Sequence, residues 1–304
     1  MARTRTVGHD GQTHPAAEEA PMGSPTIAVT GATGHVGGLV VRDLHAAGVL
    51  QRVLVRDPSS PRVPVLGTVT RIARVDYADR AVSTAALRGT DVLFMVSAHE
   101  SPTRAADQAT FVAAAADAGV RHVVYTSFAA AAPDATFTLA RDHAATEQRI
   151  RESGMAWTFL RDTFYLDVLE SFVGADGVLR GPADAGRCAF VARRDVARVA
   201  ATVLRDPAPH AGHTYDLTGP QALTLSDVAR TLSLVRGRSV TFHDETIEEA
   251  YASRAAYGAP DWQVDAWVST YTAIASDVMA EPSPTVQQLT GTPPTSLETY
   301  LRAR

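Results

Sequence analysis

A glycine-rich turn within residues 26–41 constrains the fold more than any other part of the chain. A β-branched run leads into the spacing G-x-x-G-x-x-G, whose glycines are Gly31, Gly34 and Gly37, and an apolar helix-forming segment follows. In dinucleotide-binding units the first glycine allows a tight turn, the second leaves room for a pyrophosphate, and the third lets the helix pack closely on the strand. The N–H groups that begin the helix also attract an anionic phosphate. The pattern predicts nucleotide binding, the alternative being a purely structural turn.

Strand and helix patterns alternate along the first half of the chain, which predicts a parallel sheet covered on both faces, a doubly wound α/β fold. We expect residues 25–160 to form the nucleotide-binding domain. Residues 161–304 are less regular, and we expect a smaller mixed α/β substrate lobe, some of whose elements return to the main sheet. In that lobe Asp195 is predicted to cap a helix over 196–205. Residues 1–24 lack hydrophobic periodicity and are predicted to be a disordered tail.

The composition of the 304-residue chain excludes several kinds of chemistry. All 28 basic residues are arginine, so no lysine is present for a Schiff base, a phosphate-binding loop or a Tyr-x-x-x-Lys proton relay. Cys188 is the only cysteine, so neither an intramolecular disulfide nor a cysteine-rich metal site is possible, and we expect no metal site. The net charge of -5 gives no electrostatic reason to expect a nucleic acid or an anionic membrane as partner. Because no apolar run reaches membrane-spanning length and no secretory segment is recognisable, a cytoplasmic location is predicted.

The end of the second predicted strand bears on the choice of cofactor. An acidic residue about twenty positions after the glycines usually binds the ribose 2′-hydroxyl of NAD, whereas an arginine there accommodates the 2′-phosphate of NADP. Arg56 follows the strand directly, and Asp57 comes one position later than an NAD-type acid usually lies. Arg56 therefore favours NADP(H) over NAD(H). Asp57 leaves NAD(H) open, or simply begins an Asp-Pro turn.

Further candidate cofactor contacts follow the next two predicted strands. Asp76 and Tyr77 end the third strand, where they could line the adenine or merely terminate the strand. Ser97 and Ala98 end the fourth strand, beside the expected nicotinamide ribose, where small side chains let a cofactor pass closely. His99 follows them and is a candidate for the substrate pocket, the alternative being a solvated loop residue.

The chain lacks the Tyr-Lys pair that usually performs catalysis in short-chain dehydrogenases. The fifth predicted strand ends at Ser127, where such enzymes keep a catalytic hydroxyl. Leu139 and His143, four positions apart and so on one helix face, stand where the tyrosine and lysine would. His143 could titrate near neutral pH and donate a proton, contact the cofactor ribose, or be an ordinary helix residue. His143 is therefore a candidate for both catalysis and cofactor binding.

Five segments of the chain have a recognisable pattern. They are Gly31-Ala32-Thr33-Gly34-x-x-Gly37, Val55-Arg56-Asp57, Tyr125-Thr126-Ser127, Leu139-Ala140-x-x-His143-x-Ala145-Thr146-Glu147 and Thr158-Phe159-Leu160-Arg161. Together they resemble atypical short-chain dehydrogenases of the NmrA-like branch, and within it NADPH:quinone oxidoreductases and triphenylmethane dye reductases. The resemblance implies a Rossmann-type NAD(P)-binding domain, a smaller C-terminal lobe and a cleft between them. It also implies hydride transfer to conjugated acceptors, which delocalise the incoming charge so that solvent can protonate them.

The resemblance also implies site residues by position. Phe164 and Tyr165 would wall the nicotinamide or substrate pocket, with His99 and Asp162 beside them, and Tyr165 is the second catalytic candidate. The chain departs from the pattern at His35-Val36, where related sequences commonly have Gln-Leu, and at Asp162, where they commonly have Asn. The cofactor contacts that it implies, joined to those argued above, are Gly31, Thr33, Gly34, His35, Val36, Gly37, Arg56, Asp76, Tyr77, Ser97, Ala98, Ser127 and His143.

Three functions are compatible with this pattern. The leading one is an NADPH-dependent reductase that transfers hydride to a quinone or another conjugated aromatic small molecule. The second is a redox sensor that binds NADP(H) and regulates partners without turnover. The third is redox-neutral epimerisation, cyclisation or dehydration, in which His143, Asp162 and Tyr165 would act as acid and base. A homodimer is left open as the assembly.

Overall fold

The computed structural model describes residues 25–304, whose centre is a parallel sheet of seven strands. In chain order the strands are β1 (Ile27–Thr30), β2 (Gln51–Val55), β3 (Val69–Arg74), β4 (Val92–Met95), β5 (His122–Phe128), β6 (Ala156–Asp162), β7 (Val178–Gly181), β8 (Arg187–Cys188), β9 (His213–Leu217), β10 (Leu223–Thr224) and β11 (Thr241–Asp244). The α-helices are α1 (His35–Ala46), α2 (Arg80–Leu87), α3 (Arg104–Asp117), α4 (Thr138–Glu152), α5 (Arg193–Arg205), α6 (Leu225–Arg236), α7 (Ile247–Arg254), α8 (Asp261–Ala275), α9 (Thr285–Thr290) and α10 (Leu297–Arg302).

The main sheet has the order β3-β2-β1-β4-β5-β6-β9, and all neighbouring strands are parallel. The chain moves outward from β1 through β2 and β3, and then crosses to the other side of β1 to form β4. Such a reversal opens a crevice at the carboxyl ends of the two central strands, which is where open α/β sheets bind ligands. The predicted doubly wound α/β fold is confirmed, and the glycine turn lies at this crevice because it follows β1.

Helices cover both faces of the main sheet. On one face α1 and α5 pack together, and α5 buries an apolar stripe that includes Val196, Ala200 and Val203 at helical spacing. On the other face α3 and α4 bury Phe111 and Ile150 against the strands. Within residues 25–304 no helix is long and apolar enough to cross a membrane.

The second half of the chain contributes both to the main sheet and to a lobe beside it. Strand β9 lies next to β6, whereas β10 pairs with β8 and β11 pairs with β7 in two small separate sheets. Helix α8 contacts the start of α4 and the loop after β4, since Oγ of Ser269 accepts from the N–H of Thr138 at 3.1 Å and Nε2 of Gln263 donates to Glu100 at 3.2 Å. The predicted division into two domains stays a prediction, and the predicted disordered tail, residues 1–24, lies outside the described residues.

The prediction that Asp195 caps α5 is wrong. The helix begins three residues earlier than predicted, with Ala192 at the N-cap, so that Asp195 lies within its first turn. The Asp195 carboxylate is fully buried and accepts from the N–H and hydroxyl of Thr295 at 2.6 and 3.0 Å. Arg198 also donates to it, at 2.6 Å. In the sequence Asp195 resembles a helix cap, whereas in the structure its carboxylate attaches the C-terminal segment to α5.

Candidate cofactor site and active cleft

The glycine turn after β1 contains two glycines that the protein needs for its own packing and one that faces outward. Gly31 has a positive φ of 64°, and a Cβ there would lie 2.9 Å from Cβ of Val96. A Cβ at Gly37 would lie 2.4 Å from the carbonyl oxygen of Gly31, so close packing of α1 on the turn requires glycine. Gly34 is exposed, and among the described residues a Cβ there would approach only the same carbonyl oxygen, at 3.2 Å. The space beside Gly34 is therefore open to a ligand.

The first turn of α1 presents backbone donors without a competing side chain. Gly34 is the N-cap residue, no side chain caps this helix, and its first turn contains no acidic residue. The N–H groups of His35, Val36 and Gly37 are the ones that a helix start leaves without an intrahelical acceptor. Val36 is buried, so it is accessible only through its backbone, whereas the His35 side chain is exposed and Thr33 is half-buried. These donors, with the positive end of the helix dipole, fit a pyrophosphate.

Arg56 and Asp57, which follow β2, differ in how far their side chains are already engaged. The Arg56 side chain is exposed and has no hydrogen-bond or ion-pair partner within residues 25–304. Oδ1 of Asp57 accepts from the hydroxyl and the N–H of Ser59 at 2.6 and 2.9 Å. These two bonds lower the pKa of Asp57 below its ordinary value. An unengaged guanidinium beside a carboxylate that belongs to a turn fits a 2′-phosphate better than a ribose hydroxyl.

Tyr77 supports the floor of the crevice. Its hydroxyl donates to the carbonyl of Val96 at 2.7 Å and lies 2.8 Å from Oγ1 of Thr30, which connects the ends of β4 and β1. Its ring stacks on Phe111, with the centroids 4.0 Å apart. Burial raises the pKa of Tyr77 well above its ordinary value, so the hydroxyl stays protonated. The predicted adenine contact is thus not supported for this hydroxyl, whereas the half-buried Asp76 stays a candidate.

The loop after β4 is bound to the protein through its backbone. The N–H of Ser97 donates to a buried threonine hydroxyl of β5 at 2.9 Å. The N–H of Ala98 donates to Oε1 of Gln108 at 3.1 Å, and its carbonyl accepts from Nε of Arg104 at 2.9 Å. The next residue, His99, is exposed. The structure therefore places Ser97 and Ala98 on a fixed edge of the crevice and His99 on the surface of the loop.

His143 lies between two groups that determine which of its nitrogens carries hydrogen. Nε2 is 2.8 Å from Nη2 of Arg104, and Nδ1 is 3.0 Å from the hydroxyl of Tyr125. Because a guanidinium can only donate, Nε2 must accept and the hydrogen must lie on Nδ1. Burial and the charges of Arg104 and Arg161 hold the pKa of His143 well below its usual range, so the ring stays neutral. This arrangement does not support the predicted catalytic role, since both nitrogens are occupied inside the protein.

Ser127 is occupied by a buried ion-pair cluster. The residue is fully buried at the end of β5, and its hydroxyl donates to Oε1 of Glu147 at 2.6 Å. Glu147 is fully buried as well, and it accepts from Arg161 at 2.8 and 2.7 Å and from Arg151 at 3.0 Å. The position at which short-chain dehydrogenases keep a catalytic hydroxyl therefore has a structural role in this chain. The predicted contact between Ser127 and the cofactor is not supported.

An aromatic cluster of Phe128, Phe137 and Phe164 lies beyond the carboxyl ends of β5 and β6. The ring centroid of Phe164 is 5.0 Å from that of Phe128 and 5.1 Å from that of Phe137. Phe137 and Phe164 are half-buried, so part of each ring is accessible. Tilted and edge-to-face contacts of this kind suit a flat aromatic ligand. The sequence predicts Phe164 at the pocket, whereas Phe128 and Phe137 join it only in the folded chain.

Asp162 and Tyr165, both predicted to line the pocket, form a pair at the end of β6. The Tyr165 hydroxyl donates to Oδ2 of Asp162. Burial raises the pKa of Asp162 to about 7, and burial together with the Asp162 carboxyl raises the pKa of Tyr165 well above its ordinary value. The guanidinium of Arg193 lies 4.8 Å from the centroid of the Tyr165 ring. Near neutral pH, Asp162 is therefore the member of the pair that gains or loses a proton.

The match to known proteins agrees with this geometry. Residues 23–260 match the NmrA-like family. The chain belongs to this family. The NAD(P)H azoreductase of Xenophilus azovorans is 34% identical over 281 residues, which cover 91% of this chain and 97% of the azoreductase. The (4-alkanoyl-5-oxo-2,5-dihydrofuran-3-yl)methyl phosphate reductase of Streptomyces griseus is 38% identical over 271 residues, 88% of this chain and 93% of the relative.

A solved NmrA-like neighbour extends the match to three dimensions. The NADPH-dependent quinone oxidoreductase of Escherichia coli complexed with NADPH superimposes with a TM-score of 0.83 and 30% sequence identity, over 91% of this chain and 99% of that chain. The superposition confirms the Rossmann-type architecture that the resemblance implies.

The sequence does not single out Arg104 and Gln108 of this NmrA-like chain, although both hold the loop beside the crevice. The available signal is their spacing, since they are four positions apart on α3, a helix otherwise rich in alanine. Both are buried among apolar residues, where a polar side chain needs a partner. Among residues 25–304 no group of three or more His, Cys, Asp or Glu residues is arranged to hold a metal ion.

Proposed function

We propose that this NmrA-like chain is an NADPH-dependent reductase that transfers hydride to a quinone or another conjugated aromatic small molecule. The observation that carries the proposal is the position of His143 between Arg104 and Tyr125, taken together with a start of α1 that fits a pyrophosphate. Leu139 and His143, at the positions of the usual catalytic pair, offer no proton donor, and reduction of a simple ketone needs one near the carbonyl oxygen. A conjugated acceptor needs it less, because it delocalises the charge that follows hydride transfer.

The names of the relatives support a reductase of this kind. One is named as an NAD(P)H azoreductase and another as an NADPH-dependent quinone oxidoreductase, and azo groups and quinones are conjugated acceptors. The third is named as the reductase of an oxo-dihydrofuran that bears an alkanoyl group and a methyl phosphate. The names agree in reduction and differ in acceptor, so we propose the class of acceptor and not one compound.

The residues of the crevice fit NADP(H) and divide its binding among them. Bound NADPH supplies a hydride from its nicotinamide ring. The N–H groups at the start of α1 would bind the pyrophosphate in the space left open by Gly34, and Arg56 would bind the 2′-phosphate. Ser97 and Ala98 would line the nicotinamide side. The aromatic cluster would orient a flat acceptor and exclude water, so that orientation provides most of the acceleration.

The proposal is tested by following NADPH oxidation through the nicotinamide absorbance with benzoquinones, naphthoquinones, azo dyes and triphenylmethane dyes. We expect turnover with a member of this panel. In Phe164→Leu, which keeps the apolar volume but removes the ring, we expect a higher KM for the acceptor and unchanged affinity for NADPH. Binding of NADPH without oxidation by any acceptor would favour the redox sensor. Substrate turnover without NADPH oxidation would favour the redox-neutral function, and failure to bind NADPH would contradict the proposal.

The remaining expectations accompany this proposal. Assembly as a homodimer, a cytoplasmic location and the lack of nucleic-acid and membrane partners stay predictions. Sedimentation of the purified protein with and without NADPH tests the first of them.

A further inference from the structure

Arg104 is a buried cation with an unusually complete set of acceptors. Only 3% of the residue is exposed. Besides the carbonyl of Ala98, its guanidinium donates to the carbonyl of Leu139 at 3.3 Å, to Oδ2 of Asp142 at 3.2 Å and to Nε2 of His143 at 2.8 Å. Burying a guanidinium is costly unless its hydrogens find partners, and most of these partners are uncharged. Through its bond to the Ala98 carbonyl, Arg104 stabilises the loop after β4.

The hydrogen bonds around Arg104 form a closed ring that begins and ends on Ala98. Arg104 donates to the Ala98 carbonyl and to His143, and His143 donates through Nδ1 to the hydroxyl of Tyr125. That hydroxyl donates to Oε1 of Gln108 at 3.2 Å, and the same Oε1 accepts from the N–H of Ala98 at 3.1 Å. Each N–H or O–H group in the ring has one acceptor. The direction of every hydrogen bond is determined, because the guanidinium at the start of the ring can only donate.

A branch of the ring attaches it to α4. Nε2 of Gln108 donates to Oγ1 of Thr146 at 3.0 Å, and the Thr146 hydroxyl donates to the carbonyl of Asp142 at 2.8 Å. This branch fixes which end of the Gln108 amide faces Ala98, since the amide nitrogen is used by Thr146. The ring therefore joins α3, β5 and α4 and holds the two peptide groups on either side of the Ala98 Cα in one orientation.

The position of Ala98 in the loop after β4 indicates which part of the cofactor these two peptide groups meet. The adenosine half is expected on the β2 side of the glycine turn, where Arg56 lies, and the other half is then expected across the switch point, at the end of β4. We propose that Arg104, His143, Tyr125 and Gln108 form a positioning ring, which holds the Ser97–Ala98 backbone in the conformation that receives the nicotinamide half of NADPH. This inference rests on the proposed function. The ring occupies the place of the Tyr-Lys pair but positions the cofactor and transfers no proton.

The variant Tyr125→Phe opens the ring with the smallest change of shape. It removes a single fully buried hydroxyl, which leaves the His143 Nδ1–H without a partner and removes one of the two donors to Oε1 of Gln108. We expect the dissociation constant for NADPH to rise by about two- to tenfold, the effect of one buried hydrogen bond. Adenosine 2′,5′-bisphosphate, which occupies only the adenosine half, should bind as it does to the wild type.

A matched control is available on β6, towards the amino ends of β5 and β6. Thr158 is fully buried, its Oγ1 lies 2.9 Å from Nε2 of His122, and it donates to the carbonyl of His210 at 2.8 Å. Thr158→Val removes a buried hydroxyl of similar connectivity whose partners, His122 and the His210 carbonyl, are not part of the ring. We expect it to lower Tm as Tyr125→Phe does while leaving the affinity for NADPH unchanged.

Isothermal titration of NADPH and of adenosine 2′,5′-bisphosphate into the wild type and the two variants measures the dissociation constants that test the ring. Weaker NADPH binding in Tyr125→Phe alone, with equal binding of the bisphosphate, supports the ring. Unchanged NADPH affinity in Tyr125→Phe, beside a lower Tm, overturns it and leaves a purely structural network. A wild type that binds neither nucleotide overturns the proposed function, and the inference with it.

A second variant addresses the case in which Tyr125→Phe does not fold. Arg104→Lys keeps the positive charge but lacks the planar fork that reaches both the Ala98 carbonyl and His143. We expect the same selective loss of NADPH affinity, and equal affinity of this variant and the wild type would count against the ring.

Discussion

Tyr165 donates a hydrogen bond to Oδ2 of Asp162, a residue that is only 4% exposed at the end of β6. Burial raises the pKa of this carboxyl to about 7 from the ordinary value of 3.8, to which it returns in the unfolded chain. Between these values the folded protein keeps a proton that the unfolded chain has released, so stability falls as pH rises. The contribution of Asp162 is therefore fully present below about pH 4 and lost above about pH 7.

Asp162→Asn should remove this pH dependence. The amide is uncharged at every pH, and its oxygen still accepts from Tyr165. We expect the variant and the wild type to have similar Tm at about pH 4 and the variant to be more stable at about pH 8, by on the order of a few kcal/mol. Thermal unfolding at several pH values measures the difference. Asp57→Asn is the control, since the pKa of its exposed carboxyl lies below the ordinary value of 3.8. A fall in stability between about pH 4 and about pH 7 that persists in Asp162→Asn would contradict the assignment of this titration to Asp162.

Two glycines of the turn should respond differently to alanine. In Gly37→Ala the new Cβ would lie 2.4 Å from the Gly31 carbonyl, so we expect a loss of about 1–3 kcal/mol in the free energy of unfolding, as overpacking causes. In Gly34→Ala the Cβ projects into the space proposed for the pyrophosphate, so we expect near-normal stability and a large loss of NADPH affinity. Denaturant unfolding and nucleotide titration separate the two effects, and normal NADPH binding by folded Gly34→Ala would refute the proposed phosphate site.

Arg56→Ala should change the preference between the two nicotinamide cofactors. Hydrogen bonds to a charged group contribute about 1.5–3 kcal/mol, so we expect NADPH binding to weaken by about ten- to a hundredfold. NADH lacks the 2′-phosphate, and its affinity should stay the same. Arg42→Ala serves as the charge control, since Arg42 is also an exposed arginine but lies on α1. Equal loss for both cofactors in Arg56→Ala would show that Arg56 does not select NADPH.

His143→Gln should retain turnover, because the amide oxygen can accept from Arg104 while the residue cannot act as an acid. A general acid accelerates a reaction by about a hundredfold or more. A loss of turnover on that scale in His143→Gln would therefore show that His143 acts as a catalytic acid. His143→Leu leaves the Arg104 donor without a partner, and we expect it to cost about 1–3 kcal/mol of stability. Turnover of both variants with the best acceptor, measured across the neutral pH range, gives the comparison.

The sequence by itself determined the parts of this protein that depend on neighbouring residues. Gly31, Gly34 and Gly37 predict the turn because backbone conformation and close helix packing are local requirements. The alternation of apolar strands and helices predicts the doubly wound sheet, and the sheet order then brings the ends of β1 and β4 to one crevice. Arg56 is predicted from its distance to the glycines, which the fold keeps. Asp195 shows the limit of such reasoning, since its partner Thr295 lies 100 positions away.

Only the tertiary structure decided what the polar residues at the crevice do. His143 is adjacent in space to Arg104 and Tyr125, which are 39 and 18 positions away in the chain, and those two neighbours determine its protonation. The hydroxyl of Ser127 is likewise engaged by Glu147, which is 20 positions away in the chain. A hydrogen bond requires a donor–acceptor distance of about 3 Å, held to within a few tenths of an ångström, between groups that only packing brings together. No sequence spacing encodes such distances. The sequence therefore predicts the crevice and its phosphate-binding turn, whereas the packing of α3 and α4 against β5 determines which side chains remain free to act there.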